Sequence, residues 1–104
     1  IQWEVFKRDR YRCRYCGRDG VALTIDHIIT WEEGGSSVPE NLLTACRKCN
    51  KQRGMTPYEN WIKSAFYELN LSRGLDEATK SSNIEILGKL DYLRTLKVTN
   101  IRSR

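Results

Sequence analysis

Two strand-like segments between helical segments predict a small α+β fold for this chain. Residues 21–29 and 42–45 are rich in β-branched and apolar residues, and 21–29 alternates as a half-buried strand does. Apolar residues at helical spacing come before and after them. Two Cys-x-x-Cys pairs, Cys13/Cys16 and Cys46/Cys49, frame the strand region. A chain of 104 residues has a small core, and small cores often need a covalent or metal cross-link.

The four cysteines are predicted to bind one structural zinc ion. A Cys-x-x-Cys turn lets both of its sulfurs reach the same ion, and four thiolates complete a tetrahedral zinc site. A disulfide framework is the alternative, but no apolar, signal-like segment opens the chain. A redox role is disfavoured because no βαβ pattern surrounds either pair. We therefore expect a cytoplasmic protein in a reducing compartment, without a membrane segment.

The elements of the first half are predicted in the order helix, strand, loop, strand, helix. Residues 2–11 form a short helix whose inward positions are Trp3, Val5 and Phe6. In the first strand, His27 shares a face with Leu23 and Ile25, and Asp26 points to the other face. The glycine-rich stretch 32–39 is a loop. The second strand leads into a helix over 47–53 that stops near Gly54.

Residues 56–104 are predicted to form a helical extension of the core in residues 1–55. Thr56-Pro57-Tyr58-Glu59 has the pattern of a capping box, with proline at the first helical position. Apolar residues then recur at helical spacing for about a dozen residues. A polar stretch, 76–83, is expected to interrupt the helices before a last one from Ile84 to Lys97. These stripes indicate packing surfaces. They are also a candidate contact for a protein partner, and the oligomeric state stays open.

The positive charge is concentrated near the cysteine pairs. The formal net charge is +5 and the sequence pI is about 9.2. If zinc joins the pairs, two basic groups converge on one region, which is typical of a surface that binds a phosphate backbone. A solvated basic surface is the plain alternative. The groups are Lys7, Arg8, Arg10, Arg12, Arg14 and Arg18, and Arg47, Lys48, Lys51 and Arg53.

The order of motifs around the only histidine resembles the HNH endonuclease family. The pattern covers about Arg10 to Arg53 and includes Cys-x-x-Cys, Asp26-His27-Ile28, Gly-Gly, Asn41-Leu42, and Cys-x-x-Cys followed by Asn50. The resemblance implies a ββα-metal finger, in which two strands and a helix surround one divalent ion. The sequence departs from the family pattern at two places. Asn50 replaces the last histidine of the family name, and Thr30-Trp31 stands where a proline often follows, a change expected to alter only loop shape.

The resemblance also implies roles for individual residues in a metal-dependent DNA endonuclease. His27, with an ordinary pKa near neutrality, is the expected general base, and Asn41 holds the backbone beside it. Asp26 and Asn50 offer oxygen donors suited to magnesium or manganese. The expected DNA contacts are Arg12, Arg14, Lys48, Lys51 and Arg53, the last as a phosphate clamp.

The resemblance leaves several points open. They are the DNA sequence or structure that is cut, whether one strand or both strands are cleaved, and whether the protein serves a phage or a bacterium. A non-catalytic, zinc-stabilised module that binds nucleic acid is the alternative function. Such a module has no need of the non-cysteine pair formed by Asp26 and Asn50.

Overall fold

The computed structural model describes residues 1–96, and its sheet consists of two antiparallel strands. Strand β1 is Leu23–His27 and strand β2 is Leu42–Cys46, with Leu23 opposite Cys46. Helix α2, Arg47–Arg53, follows β2 directly and packs against both strands. This ββα unit confirms the predicted α+β finger, with one helix before it and a helical extension after it.

Helix α1, Gln2–Arg8, packs against β2 and is shorter than predicted. Arg10 and Tyr11 adopt left-handed backbone angles, with φ of 59° and 56°, so the helix cannot continue to Tyr11. Val5 and Phe6 are buried as expected. The prediction that Trp3 faces inward is wrong: its ring lies edge-on to that of Phe6 on the solvent side, and 68% of the residue is exposed.

The connection between the strands is a structured segment with two short 3₁₀ turns. The first, Trp31–Glu33, begins with a capping box in which the Thr30 hydroxyl accepts from the Glu33 amide and the Glu33 carboxylate accepts from the Thr30 amide. The second, Pro39–Asn41, leads directly into β2. The predicted loop, 32–39, therefore includes most of the first turn and the first residue of the second.

Within residues 56–96 the extension has four short helices: α3 (Tyr58–Trp61), α4 (Ala65–Ser72), α5 (Glu77–Leu87) and α6 (Leu90–Thr95). The predicted single helix after Tyr58 is broken at Ser64, which caps α4 by accepting from the Tyr67 amide at 3.2 Å. The expected interruption at 76–83 is wrong, because Asp76 caps α5 by accepting from the Thr79 amide. The expected helix over Ile84–Lys97 is divided at Gly88, and Lys97 lies outside the described residues.

One hydrophobic core joins the extension to the finger. The Tyr15 ring, fully buried between the first two cysteines, packs edge-on against Trp61 with ring centroids 5.3 Å apart. Leu90 and Leu93 of α6 belong to the same cluster. The extension also reaches the connection between the strands, where the Ser36 hydroxyl donates to the Leu96 carbonyl. None of the helices in residues 1–96 has the length and hydropathy needed to cross a lipid bilayer.

Candidate active site

The four cysteine sulfurs converge beside the strands. The Sγ atoms of Cys13, Cys16, Cys46 and Cys49 lie within 4.8 Å of one another, and all four cysteines are free of disulfides. The Cys16 and Cys46 sulfurs are 3.8 Å apart. Sulfurs at about 2.3 Å from a tetrahedral zinc ion are themselves about 3.8 Å apart. The donor set and its spacing therefore fit one zinc ion.

Hydrogen bonds around the sulfurs favour their ionised form. The backbone amides of Tyr15 and Cys49 donate to the sulfurs of Cys13 and Cys46, and the Asn70 side chain donates to that of Cys49. Hydrogen bonds from Cys13 and then Cys49 lower the pKa of Cys16 to about 2. The hydrogen bond between Cys13 and Cys16 in turn raises the pKa of Cys13 to about 12. The four thiols cannot all ionise without a cation among them, which is what a zinc ion provides.

His27 lies at the end of β1 with one ring nitrogen engaged. Its Nε2 shares a hydrogen bond of 2.9 Å with the Ser37 hydroxyl, while Nδ1 has no hydrogen bond within residues 1–96. The side chain is half-buried. Burial lowers the pKa of His27, against the opposing effect of the Asp26 carboxylate. The neutral imidazole, the form that accepts a proton, is therefore favoured near neutral pH.

Asn41 is fully buried and holds the backbone immediately after His27. Its amide oxygen accepts from the Ile29 amide at 2.8 Å, and its Nδ2 donates to the carbonyls of Ile29 and Ser36. A Cβ on Gly35 would lie 1.8 Å from the Ile29 carbonyl oxygen, so only glycine fits there. The Gly-Gly motif was noted in the sequence as a loop signal, but its role in this close approach was missed.

Asp26 and Asn50 each keep one oxygen without a hydrogen bond. Asp26 is buried, and its Oδ2 accepts from the Tyr15 hydroxyl at 2.5 Å and from Arg53 at 2.7 Å. Asn50 donates through Nδ2 to the Thr24 hydroxyl and the Ile25 carbonyl. Oδ1 of Asp26 and Oδ1 of Asn50 accept no hydrogen bond within residues 1–96. Thr24 and Asp26 share a face of β1, and the hydrogen bonds from Asn50 to Thr24 and from Arg53 to Asp26 show that α2 covers this face.

The structure corrects the predicted role of Arg53. Only 1% of this residue is exposed, and its guanidinium donates to Asp26 and to the carbonyls of His27, Ile28 and Thr56. It has no surface to offer a DNA phosphate. It instead neutralises the buried Asp26 and holds the strand end. Tyr15, the third member of this cluster, was missed because nothing in a Cys-x-x-Cys turn marks its middle residues.

The predicted DNA contacts divide into exposed and internal groups. Arg14 is also internal: its guanidinium bonds to Asp9 of the N-terminal segment and to Ser82 and Asn83 of α5. It therefore joins the finger to the extension. Arg12, Lys48 and Lys51 remain exposed, and they are the predicted contacts that a phosphate backbone can reach.

Comparison with known proteins agrees with this geometry. The family model described as HNH endonuclease matches residues 13–56. The CRISPR-associated endonuclease Cas9 of Corynebacterium diphtheriae is 30% identical over 70 residues, which are 64% of this chain and 6% of that protein. The chain thus spans a small part of its curated relative.

The fold has a counterpart among solved structures. The crystal structure of the Type II-C Cas9 enzyme from Actinomyces naeslundii superposes with a TM-score of 0.55 at 18% identity, covering 92% of this chain and 11% of that one. At this identity the likeness concerns the fold, and it extends beyond the finger into the helices that follow. Residues 13–56, which carry these motifs and the ββα unit, are the part of the chain that is similar to the HNH endonuclease family.

Proposed function

We propose that this chain hydrolyses phosphodiester bonds of DNA, with His27 as general base. The match of residues 13–56 to the HNH endonuclease family model supports a nuclease-type function. The observation that carries the finer proposal is the hydrogen bonding of His27: Nε2 is held by Ser37, while Nδ1 has no partner among the residues that the structure describes. The ring is oriented from one side and open on the other, as a base that takes a proton from water requires.

The residues around His27 keep it in place and in its neutral form. Asn41 holds the backbone at Ile29, two residues further on, through both ends of its amide. Burial lowers the pKa of His27 and so keeps Nδ1 able to accept a proton. A water bonded to Nδ1 is thereby activated to attack a phosphorus placed in line with it.

Asp26 and Asn50 are the residues that would hold a catalytic divalent ion. Their free oxygens are hard donors, the type that magnesium and manganese prefer. When bound, such an ion stabilises the charge that develops on the phosphate and on the leaving oxygen. Arg53 and Tyr15 fix the Asp26 carboxylate through Oδ2, which leaves Oδ1 for this purpose.

DNA binding is proposed to depend on charge more than on sequence. Arg12, Lys48 and Lys51 are exposed and lie in or near the two Cys-x-x-Cys turns in sequence, and the chain carries a net charge of +5. Contacts of this kind bind any phosphate backbone and weaken as salt rises. They place a strand on the protein without selecting bases.

Conversion of supercoiled plasmid by the zinc-loaded chain tests the proposal. With magnesium or manganese we expect nicked or linear product, and the product topology distinguishes the two modes of cleavage. Removing the exchangeable ion should stop the reaction while zinc, assayed in parallel, stays bound. A folded, zinc-loaded chain that binds the plasmid but does not cleave it, whether magnesium or manganese is added, would instead support the non-catalytic binding module.

A further inference from the structure

We propose that Trp31 stacks on a nucleobase next to the scissile phosphate, and that the substrate strand is unpaired at that base. The inference rests on the proposed function, since it places the scissile phosphate at His27. Trp31 is 68% exposed, and its ring centroid lies 6.2 Å from that of the His27 imidazole, at an interplanar angle of 71°. The indole therefore contributes little to the core and stands at the edge of the site.

The turn that carries Trp31 is held by a network of hydrogen bonds. The Trp31 carbonyl accepts a hydrogen bond from the Gly34 amide at 2.9 Å, and the Thr30–Glu33 capping box closes the same turn. Arg94 of α6 lies 3.9 Å from the Glu33 carboxylate. An aromatic side chain on a fixed turn loses little conformational freedom when a ligand stacks on it.

The surroundings of Trp31 favour a neutral, flat ligand. Glu32 and Glu33 follow Trp31 in the same turn, so a phosphate is repelled from this position while an uncharged base is not. The carboxylates also interrupt the apolar surface, whereas protein-binding patches are contiguous. Stacking on an aromatic ring is the common way in which single-stranded nucleic acid is held.

The distances from His27 are compatible with a base next to the attacked phosphate reaching Trp31. A water hydrogen-bonded to the imidazole at about 2.8 Å, attacking over about 3.3 Å, puts the phosphorus about 6 Å from the ring. The indole is at a similar distance from the same ring. A base adjoining that phosphate is the part of the strand that meets Trp31. In a duplex that base is already stacked and paired, so a free face requires an unpaired base.

Binding and cleavage of single-stranded oligonucleotides test the proposal, with variants Trp31→Ala and Trp31→Phe. Trp3→Ala is the matched control, because Trp3 is also 68% exposed but contacts Phe6 instead of His27. Trp31→Ala should weaken binding by about 5- to 150-fold, the range of one base–aromatic stack. Trp31→Phe should retain most of the affinity, and Trp3→Ala all of it.

Scanning an abasic site along the oligonucleotide identifies the stacked base. At one position, an abasic site should weaken binding by the wild-type protein as much as Trp31→Ala weakens binding to the intact oligonucleotide. At that position the Trp31→Ala protein should bind the abasic oligonucleotide no more weakly than the wild type does. Equal losses at all positions, or unchanged affinity of Trp31→Ala for every single strand, would overturn the proposal. So would an equal effect of Trp31→Ala on fully paired duplex. Binding is measured without divalent ion, so a chain that binds but cleaves nothing would refute the proposed function and leave the stacking result intact.

Discussion

Replacing Arg53 by methionine should damage the fold rather than DNA binding alone. The guanidinium is buried and donates to the Asp26 carboxylate at 2.7 Å and to carbonyls of His27, Ile28 and Thr56. The substitution leaves that carboxylate buried without its cation and those carbonyls without a donor. The geometry thus predicts an effect on the free energy of unfolding.

The magnitude follows from the burial of both partners. The side chains are 0% and 8% exposed, so solvent screens the pair little. Removing one partner of a buried ion pair typically costs about 3–5 kcal/mol. A domain of about 100 residues is stable by about 5–15 kcal/mol. The loss is therefore a large part of the total, and corresponds to a fall in melting temperature of roughly 12–40 °C.

Chemical and thermal unfolding of the zinc-loaded protein measures this effect. Lys51→Met is the matched control, since Lys51 is an exposed residue of the same helix, and it should change stability by no more than about 0.5 kcal/mol. Adding Asp26→Asn to Arg53→Met should recover part of the loss, because it removes the unpaired charge. An Arg53→Met protein with wild-type stability and weakened DNA binding would refute the reasoning and restore the phosphate contact predicted from sequence.

Three further predictions concern the zinc site, the buried amide and acid stability. Cys46→Ser should lose zinc binding and cooperative unfolding, measured by elemental analysis and calorimetry, because an ion held by all four cysteines would join two Cys-x-x-Cys turns that are far apart in sequence; a wild-type melting curve with one zinc retained would contradict this. Asn41→Ala should cost about 1–3 kcal/mol for each buried backbone group left unpaired and should slow cleavage in single turnover; an unchanged rate and stability would exclude the positioning role. Burial raises the pKa of Asp9, but hydrogen bonds from Arg8 and Thr44 outweigh it and hold the pKa below the ordinary 3.8. The stability that Asp9 contributes should therefore be present above that pH and be lost as pH falls through its lower folded pKa. Unfolding of wild type and Asp9→Asn across pH should show a gap that closes in acid, and a gap that widens would show that the sign is wrong.

The ββα unit was predictable because its signals are local and agree with one another. Two Cys-x-x-Cys turns, an alternating strand and a helix directly after Cys46 all point to the same arrangement, and α2 has the predicted bounds. The extension was harder to predict. Its apolar spacing suggested one helix after Tyr58, but Ser64 caps a new helix there. The polar stretch 76–83 suggested an interruption, but Asp76 caps a helix that runs through it. A capping residue inside a helical pattern reads equally well as an ordinary helix position.

The sequence predicted the contacts of Asn41 better than those of Arg53. Asn41 was predicted to hold the backbone beside His27, and it contacts Ile29 in that way. Arg53 was expected to clamp a phosphate because the family resemblance implied that role. It is fully buried instead, as basic residues rarely are unless they are paired. Its partner, Asp26, is 27 positions away. No local pattern shows that such a pair will form, since it depends on how β1 and α2 pack.

Single-turnover cleavage of one labelled DNA by wild type and His27→Ala tests the central claim most directly. Zinc content, melting curves and DNA affinity are measured on both proteins, so that a change in rate can be attributed to the loss of the His27 imidazole. The account predicts a rate reduced by about 10²–10⁴-fold, with zinc, fold and binding unchanged. Cleavage by the folded His27→Ala protein at the wild-type rate would contradict it.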